Sequence, residues 1–179
     1  MKLASEVRIE SVGHRGDGVA KGPDGPLFVP LALPGEVVEA EAAGRDRAEL
    51  LRVLAPSPDR VEPFCPYFGA CGGCSLQHWA EPAYRDWKRG LLRTALRQRG
   101  IDVKVGELAD AHGEGRRRVT LHACNAGGEV LAGFMALRSH ALVDIDRCPV
   151  LAPGLRRAPE MAHALARLLA GARPVDISF

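Results

Sequence analysis

Over its first third the chain alternates apolar and polar residues in short runs broken by glycine and proline. Val7-Arg8-Ile9-Glu10 has the period of two that places one face of a strand on a core. Gly13-His14-Arg15-Gly16-Asp17-Gly18 then turns into Val19-Ala20-Lys21, and Gly22-Pro23-Asp24-Gly25-Pro26 turns into Leu27-Phe28-Val29-Pro30. Pro34-Gly35 precedes a fourth run, Val37 to Glu41, and Ala48 to Leu54 forms a fifth. Five short strands at this spacing predict a small, closed, OB-like antiparallel barrel over residues 1–56. Pro56-Ser57-Pro58 is a stiff linker that ends it.

The period then changes. Residues 63–80 are a Cys/Gly/aromatic loop, and Tyr84, Trp87, Leu91 and Ala95 mark an apolar stripe at helical spacing. Pro82 suits the first turn of that helix and Gly100 its stop, so the pattern predicts a helix over 82–99. Strand-like runs follow at 117–123, 129–137 and 141–145, with a turn at Asn125-Ala126-Gly127-Gly128. These predict a hairpin or three-stranded meander, completing a Cys-rich α/β segment over 57–151. A second helix is expected over Pro159–Ala170, and Pro174 to Phe179 reads as a strand stub, both within 152–179. The fold class is thus a β-barrel plus an α+β segment.

Composition narrows the function classes. Of 179 residues 46% are hydrophobic and 26% charged, with a net charge of +2, which excludes global disorder. No apolar run approaches the roughly 18 residues of a membrane span, and Met1 to Glu6 has no signal-peptide core. A cytoplasmic protein without a membrane partner is expected. Charge is uneven along the chain. Residues 81–120 carry ten basic and six acidic side chains, whereas residues 1–54 carry seven and nine. The basic excess, in Arg85, Lys88, Arg89, Arg93, Arg97, Arg99, Lys104 and Arg116 to Arg118, reads either as a phosphate-binding face or as a solvated one.

Five cysteines without an export signal point to metal or redox chemistry rather than disulfides. Cys65, Cys71 and Cys74 fall within ten residues, Gly72-Gly73 offers a tight turn between two of them, and Cys148-Pro149 supplies a distant fourth thiol. Three chemistries fit: a four-thiolate iron–sulfur cluster, a four-thiolate zinc site, or a dithiol pair at Cys71 and Cys74. Cys124, in mid-strand, reads as a small buried hydrophobe.

Cys65-x5-Cys71-Gly72-Gly73-Cys74-Ser75-Leu76-Gln77-His78, with Ser139-His140 and Asp144-Ile145-Asp146-Arg147-Cys148-Pro149-Val150-Leu151 downstream, resembles the iron–sulfur family of S-adenosylmethionine-dependent RNA uracil-5-methyltransferases. Gly16 to Ala20 and Leu33 to Val37 resemble the TRAM module that opens many of them. The resemblance implies that Cys65, Cys71, Cys74 and Cys148 are ligands of a [4Fe–4S] cluster, and that the substrate is rRNA or tRNA. In that family a Rossmann-like domain binds S-adenosylmethionine and transfers the methyl group. There a cysteine adds to uracil C6, C5 takes the methyl, and a base removes the C5 proton.

No such domain fits after residue 151, so the resemblance implies an N-terminal portion, with S-adenosylmethionine bound only by the complete enzyme and the methyltransferase domain supplied in cis. No catalytic residue is assigned. Gly13-x-x-Gly16-x-Gly18 lacks a βαβ setting and is a barrel turn, not a nucleotide loop. RNA contacts are expected from Arg15 and Lys21 on the barrel, with His14 nearby. Further contacts are expected from Arg116, Arg117 and Arg118 at a strand start, and from Arg138 and His140 after the turn. Four cysteine ligands would leave no open iron for radical chemistry, so the cluster is expected to support structure. A non-catalytic RNA-binding iron–sulfur or zinc protein is the alternative.

Overall fold

A computed structural model describes residues 4–110, 113–169 and 171–179. The chain divides into two compact units, Met1–Glu62 with Ser75–Ala109, and Pro63–Cys74 with Asp110–Phe179.

The first unit is built on a five-stranded antiparallel sheet. Its strands are β1 (Ala4–Val12), β2 (Gly18–Gly22), β3 (Gly25–Val29), β4 (Val37–Ala42) and β5 (Ala48–Ala55), in the order β3-β2-β1-β4-β5. All five runs read from the alternation become strands. The sheet is not a closed barrel, however: regular pairing stops at β3 and β5, whose neighbourhood is joined by one isolated bridge, Phe28 to Arg47. Strands of five to eight residues at these edges leave too little length for a full ladder to close.

A shift of register between Ile9 and Ser11 lets β1 turn both Ile9 and Val12 inward, three residues apart where simple alternation would oppose them. Ile9 joins Ala20, Val29, Val38, Ala40 and Ala48 in one core. Val12 joins Leu33 and Trp79 in another, covered by helix α1 (Glu81–Arg97) through Ala83, Tyr84 and Trp87. The Trp87 indole donates to Val12 O at 3.0 Å and its ring lies 5.6 Å from Trp79, so Tyr84 and Trp87 pack within this unit. Ala95, expected on the buried stripe, is exposed. Beneath the sheet, fully buried Glu36 accepts hydrogen bonds from Leu33 N, Ser57 N and the Arg60 guanidinium.

The second unit is a four-stranded antiparallel sheet, β8-β7-β6-β9, from β6 (Thr120–Ala126), β7 (Glu129–Met135), β8 (Leu142–Asp144) and β9 (Gly171–Ser178). The meander is as expected, and the terminal stub proves to be a full strand on its free edge. Gly127 and Gly128 both take positive φ, which the tight β6–β7 turn requires. Helix α2 (Ala158–Ala166) lays Ala158, Ala162 and Ala166 against Leu121, Ala123 and Ala132. Methyl-sized side chains let helix and sheet approach closely. Ala170, the last residue of the longer helix expected here, lies outside the described residues. No helix among the described residues is long and apolar enough to cross a membrane.

Candidate metal centre

Cys65, Cys71, Cys74 and Cys148 all belong to the second unit, and none is in a disulfide. The loop carrying the first three is wound by its own backbone, with Phe68 N donating to Cys65 O at 3.1 Å and Cys71 N to Tyr67 O at 2.8 Å. It runs beside the end of β7, where Gly72 N donates to Met135 O at 2.9 Å and Leu137 N to Ala70 O at 3.3 Å.

Gly72 and Gly73 do not have positive φ, so the tight-turn reason for them is replaced by another. A Cβ on Gly72 would sit 2.8 Å from Met135 O, and one on Gly73 would meet Cys71 Sγ at 3.4 Å. Gly72 is there for close approach, whereas Gly73 has ordinary contact distances around it. Gly73 N–H also donates to Cys71 Sγ at 3.4 Å, the kind of bond that stabilises a thiolate.

Cys148 sits in a loop held by Leu151 N donating to Cys148 O, and Leu151 is buried. This loop pairs with residue 116: Arg116 N donates to Val150 O at 2.8 Å and Ala152 N to Arg116 O at 3.0 Å. The Arg116 guanidinium in turn donates to Gly73 O at 3.0 Å. A second tie is the Tyr67 hydroxyl, which donates to Asp146 Oδ1 at 2.6 Å and accepts from Asp146 N at 3.1 Å. Sequence reasoning missed Tyr67 and Asp146. Each stands two residues from a cysteine, Cys65 and Cys148 respectively, and Asp146 lies within the run Asp144 to Leu151 quoted above, but nothing in the sequence paired the two.

The thiols feel one another. Burial pushes the Cys71 thiol up, a Gly73 N–H opposes this, and Cys74 and Cys65 push it further, while Arg116 pulls it down. Cys148 is likewise raised by burial, lowered by the Val150 N–H, raised by Cys74 and Cys65, and lowered by Arg116. For both thiols burial outweighs the N–H donor and the Arg116 charge, so each is held above the ordinary thiol value. Among the described residues no three His, Cys, Asp or Glu side chains are gathered as a group for a metal ion.

The expected RNA-contacting residues lie on both units. Arg15 and Lys21 are exposed on the first, and the glycine-rich run beside Arg15 is a β1–β2 turn with Gly16 N donating to Gly13 O, followed by a strand and no helix. On the second, Arg117 and Arg118 are exposed before β6, and Arg138 and His140 are exposed in the β7–β8 turn. Arg138 takes a positive φ of 54° there. Arg116 differs from its neighbours because its guanidinium is engaged by the cysteine loop. Cys124 is a buried member of β6.

No family model matches the chain. Among curated proteins it is 42% identical over 174 residues to an uncharacterized RNA methyltransferase of Brucella suis, covering 97% of this chain and 42% of that protein. An uncharacterized RNA methyltransferase of Caulobacter vibrioides is 46% identical, with 91% and 39% covered. Its relatives are RNA methyltransferases. One has a stated substrate: the 23S rRNA (uracil(1939)-C(5))-methyltransferase RlmD of Halomonas elongata is 46% identical over 159 residues, 84% of this chain and 33% of that protein. The chain thus spans about two-fifths of the length of the Brucella and Caulobacter relatives.

Proposed function

We propose that this chain is the RNA-recognising, cluster-bearing N-terminal portion of an S-adenosylmethionine-dependent RNA uracil-5-methyltransferase acting on rRNA. In this reading Cys65, Cys71, Cys74 and Cys148 hold a [4Fe–4S] cluster. The observation that carries it is that the two cysteine-bearing loops of one unit are tied to each other, by Arg116 donating to Gly73 O and by the Tyr67–Asp146 pair, with the Gly73 N–H donating to Cys71 Sγ.

The cluster, when bound, supplies a rigid cross-link between the two loops. The protein's own groups do the rest. Arg116 and the Tyr67–Asp146 pair hold the loops together, and Arg117, Arg118, Arg138 and His140 stand exposed on the same unit to meet RNA phosphates. The first unit, whose sheet edges meet at Phe28 and Arg47, is read as a TRAM-like, OB-like module offering Arg15 and Lys21. Methyl transfer belongs to the part of the enzyme for which this chain has no counterpart, and the target uridine must leave its stack to reach it.

Anaerobic purification with iron and sulfide analysis tests the ligand set. The parent is expected to be brown with about four irons per chain, and Cys71→Ser or Cys148→Ser to lose them while Cys124→Ser keeps them. A colourless parent with one zinc, or undiminished iron in the first two variants, refutes the reading.

A further inference from the structure

The basic run after the cysteine loop builds a groove that the cluster site does not use. Arg89, Arg93 and Arg97 recur every fourth residue on α1, so they share one face with successive side chains about 6 Å apart along the axis. The chain then doubles back beside that face. Arg89 donates to Val105 O at 3.4 Å and Gly106 O at 3.0 Å, and Arg97 meets Asp102 at 3.9 Å. Between helix and returning segment lies a groove of about 430 Å³ lined by Arg89, Arg93, Arg97, Asp102, Lys104 and two valines.

Only part of its charge is spent internally. Asp102 is the one acid among the lining residues, against four cations. Arg89 is occupied with backbone carbonyls and with Asp86 at 3.6 Å. Arg93 and Lys104 have no hydrogen-bond or ion-pair partner among the described residues. Val103, 55% exposed, offers an apolar spot beside them. An open groove with cations at 6 Å steps matches neighbouring phosphates on one extended strand, and RNA proteins that read sequence grip unpaired strands.

We infer that this groove is a second RNA-backbone site, in which Arg93, Arg97 and Lys104 contact successive phosphates of a single strand. The inference rests on the RNA-methyltransferase reading for its partner, but on neither the cluster nor the Arg117–Arg118 face. Val103 would lie under a ribose or base. The site adds affinity and register without reading sequence.

The test is binding of a fluorescein-labelled, mixed-sequence single-stranded RNA to the 179-residue chain over a range of salt. Two lost phosphate contacts are expected to reduce the slope of log K against log salt by about 1.4 in the Arg93→Ala/Lys104→Ala double variant. Arg93→Lys/Lys104→Arg should restore the parent slope, because both charges remain. Circular dichroism matching the parent excludes unfolding, and the charge-conserving pair controls for local damage.

If the parent binds RNA and the double alanine variant keeps its slope, this proposal falls while the functional reading stands. If the parent does not bind RNA, both fall. A polyglutamate peptide that competes at concentrations equal to RNA, in charge terms, assigns the groove to an acidic protein partner and also overturns the inference.

Discussion

Replacing Gly72 by alanine should damage the cysteine loop far more than the same change at Gly73. A Cβ on Gly72 would lie 2.8 Å from Met135 O and 3.2 Å from both the carbonyl carbon and oxygen of Ala136. That is about 0.6 Å inside ordinary contact, and every obstructing atom is backbone, so no rotamer change relieves it. The loop must lift off the end of β7, stretching the 2.9 Å bond from Gly72 N to Met135 O. Overpacking costs about 1–3 kcal/mol and the weakened bond about 1 more, giving about 2–4 kcal/mol in all.

For a chain of this size that lowers the melting temperature by about 5–15 °C if the second unit's loss is read. At Gly73 the nearest atoms are Cys71 Sγ at 3.4 Å and the Phe134 ring at 3.8 Å, and φ is not positive, so the cost stays below about 1 kcal/mol. Hydrogen exchange at the amides of Gly72 and Leu137 gives the local readout, and iron content the functional one. Equal exchange in the two variants, or greater damage from Gly73→Ala, refutes the close-packing account.

Glu36 and Tyr67 give two further tests. Burial alone would raise the Glu36 carboxyl, but hydrogen bonds from Arg60, Leu33 N and Ser57 N and the Arg60 charge bring it below its ordinary 4.5. Its stabilisation is therefore complete above pH 4.5 and lost as pH falls through the depressed value. Glu36→Gln should cost about 2–3 kcal/mol at neutral pH, less than a fully buried pair because Arg60 is partly exposed, and should flatten the acid limb of a urea-midpoint profile. Parallel profiles for variant and parent would sink that assignment. Tyr67→Phe removes both bonds to Asp146, worth about 1 kcal/mol at this exposed position, and should speed exchange of the Asp146 amide and loss of iron from the loaded protein. An unchanged Asp146 amide would show that the tie does not hold the loop.

Period and punctuation made the strands legible: Val7 to Glu10, the Gly127-Gly128 turn and the runs at 129 and 141 all became what their spacing predicts. Closure was not legible, since it depends on how far edge strands reach around the sheet, which alternation does not encode. The Gly72-Gly73 pair was recognisable as special, but the reason for Gly72 lay in β7, more than sixty residues away. Arg116 looked like its two neighbours in sequence, and only the fold shows its guanidinium on Gly73 O. Tyr84 and Trp87 were rightly apolar, while the helix rotates so that Ala83 rather than Ala95 completes their face. Local patterns report local geometry; the ties across the cysteine site join residues 79 apart.

The second unit is discontinuous in the chain, and that sets a schedule on the ribosome. Cys65, Cys71 and Cys74 are made first, and Cys148 follows Cys74 by 74 residues. At about 5–20 residues per second the nascent protein spends about 4–15 s with three thiols and no fourth, and β6 and β7, which back the loop, are made only in the later part of that interval. In the proposed reading, a group held by all four thiols is completed only after Cys148 has been made, while β9, the edge strand of the same sheet, is still to come.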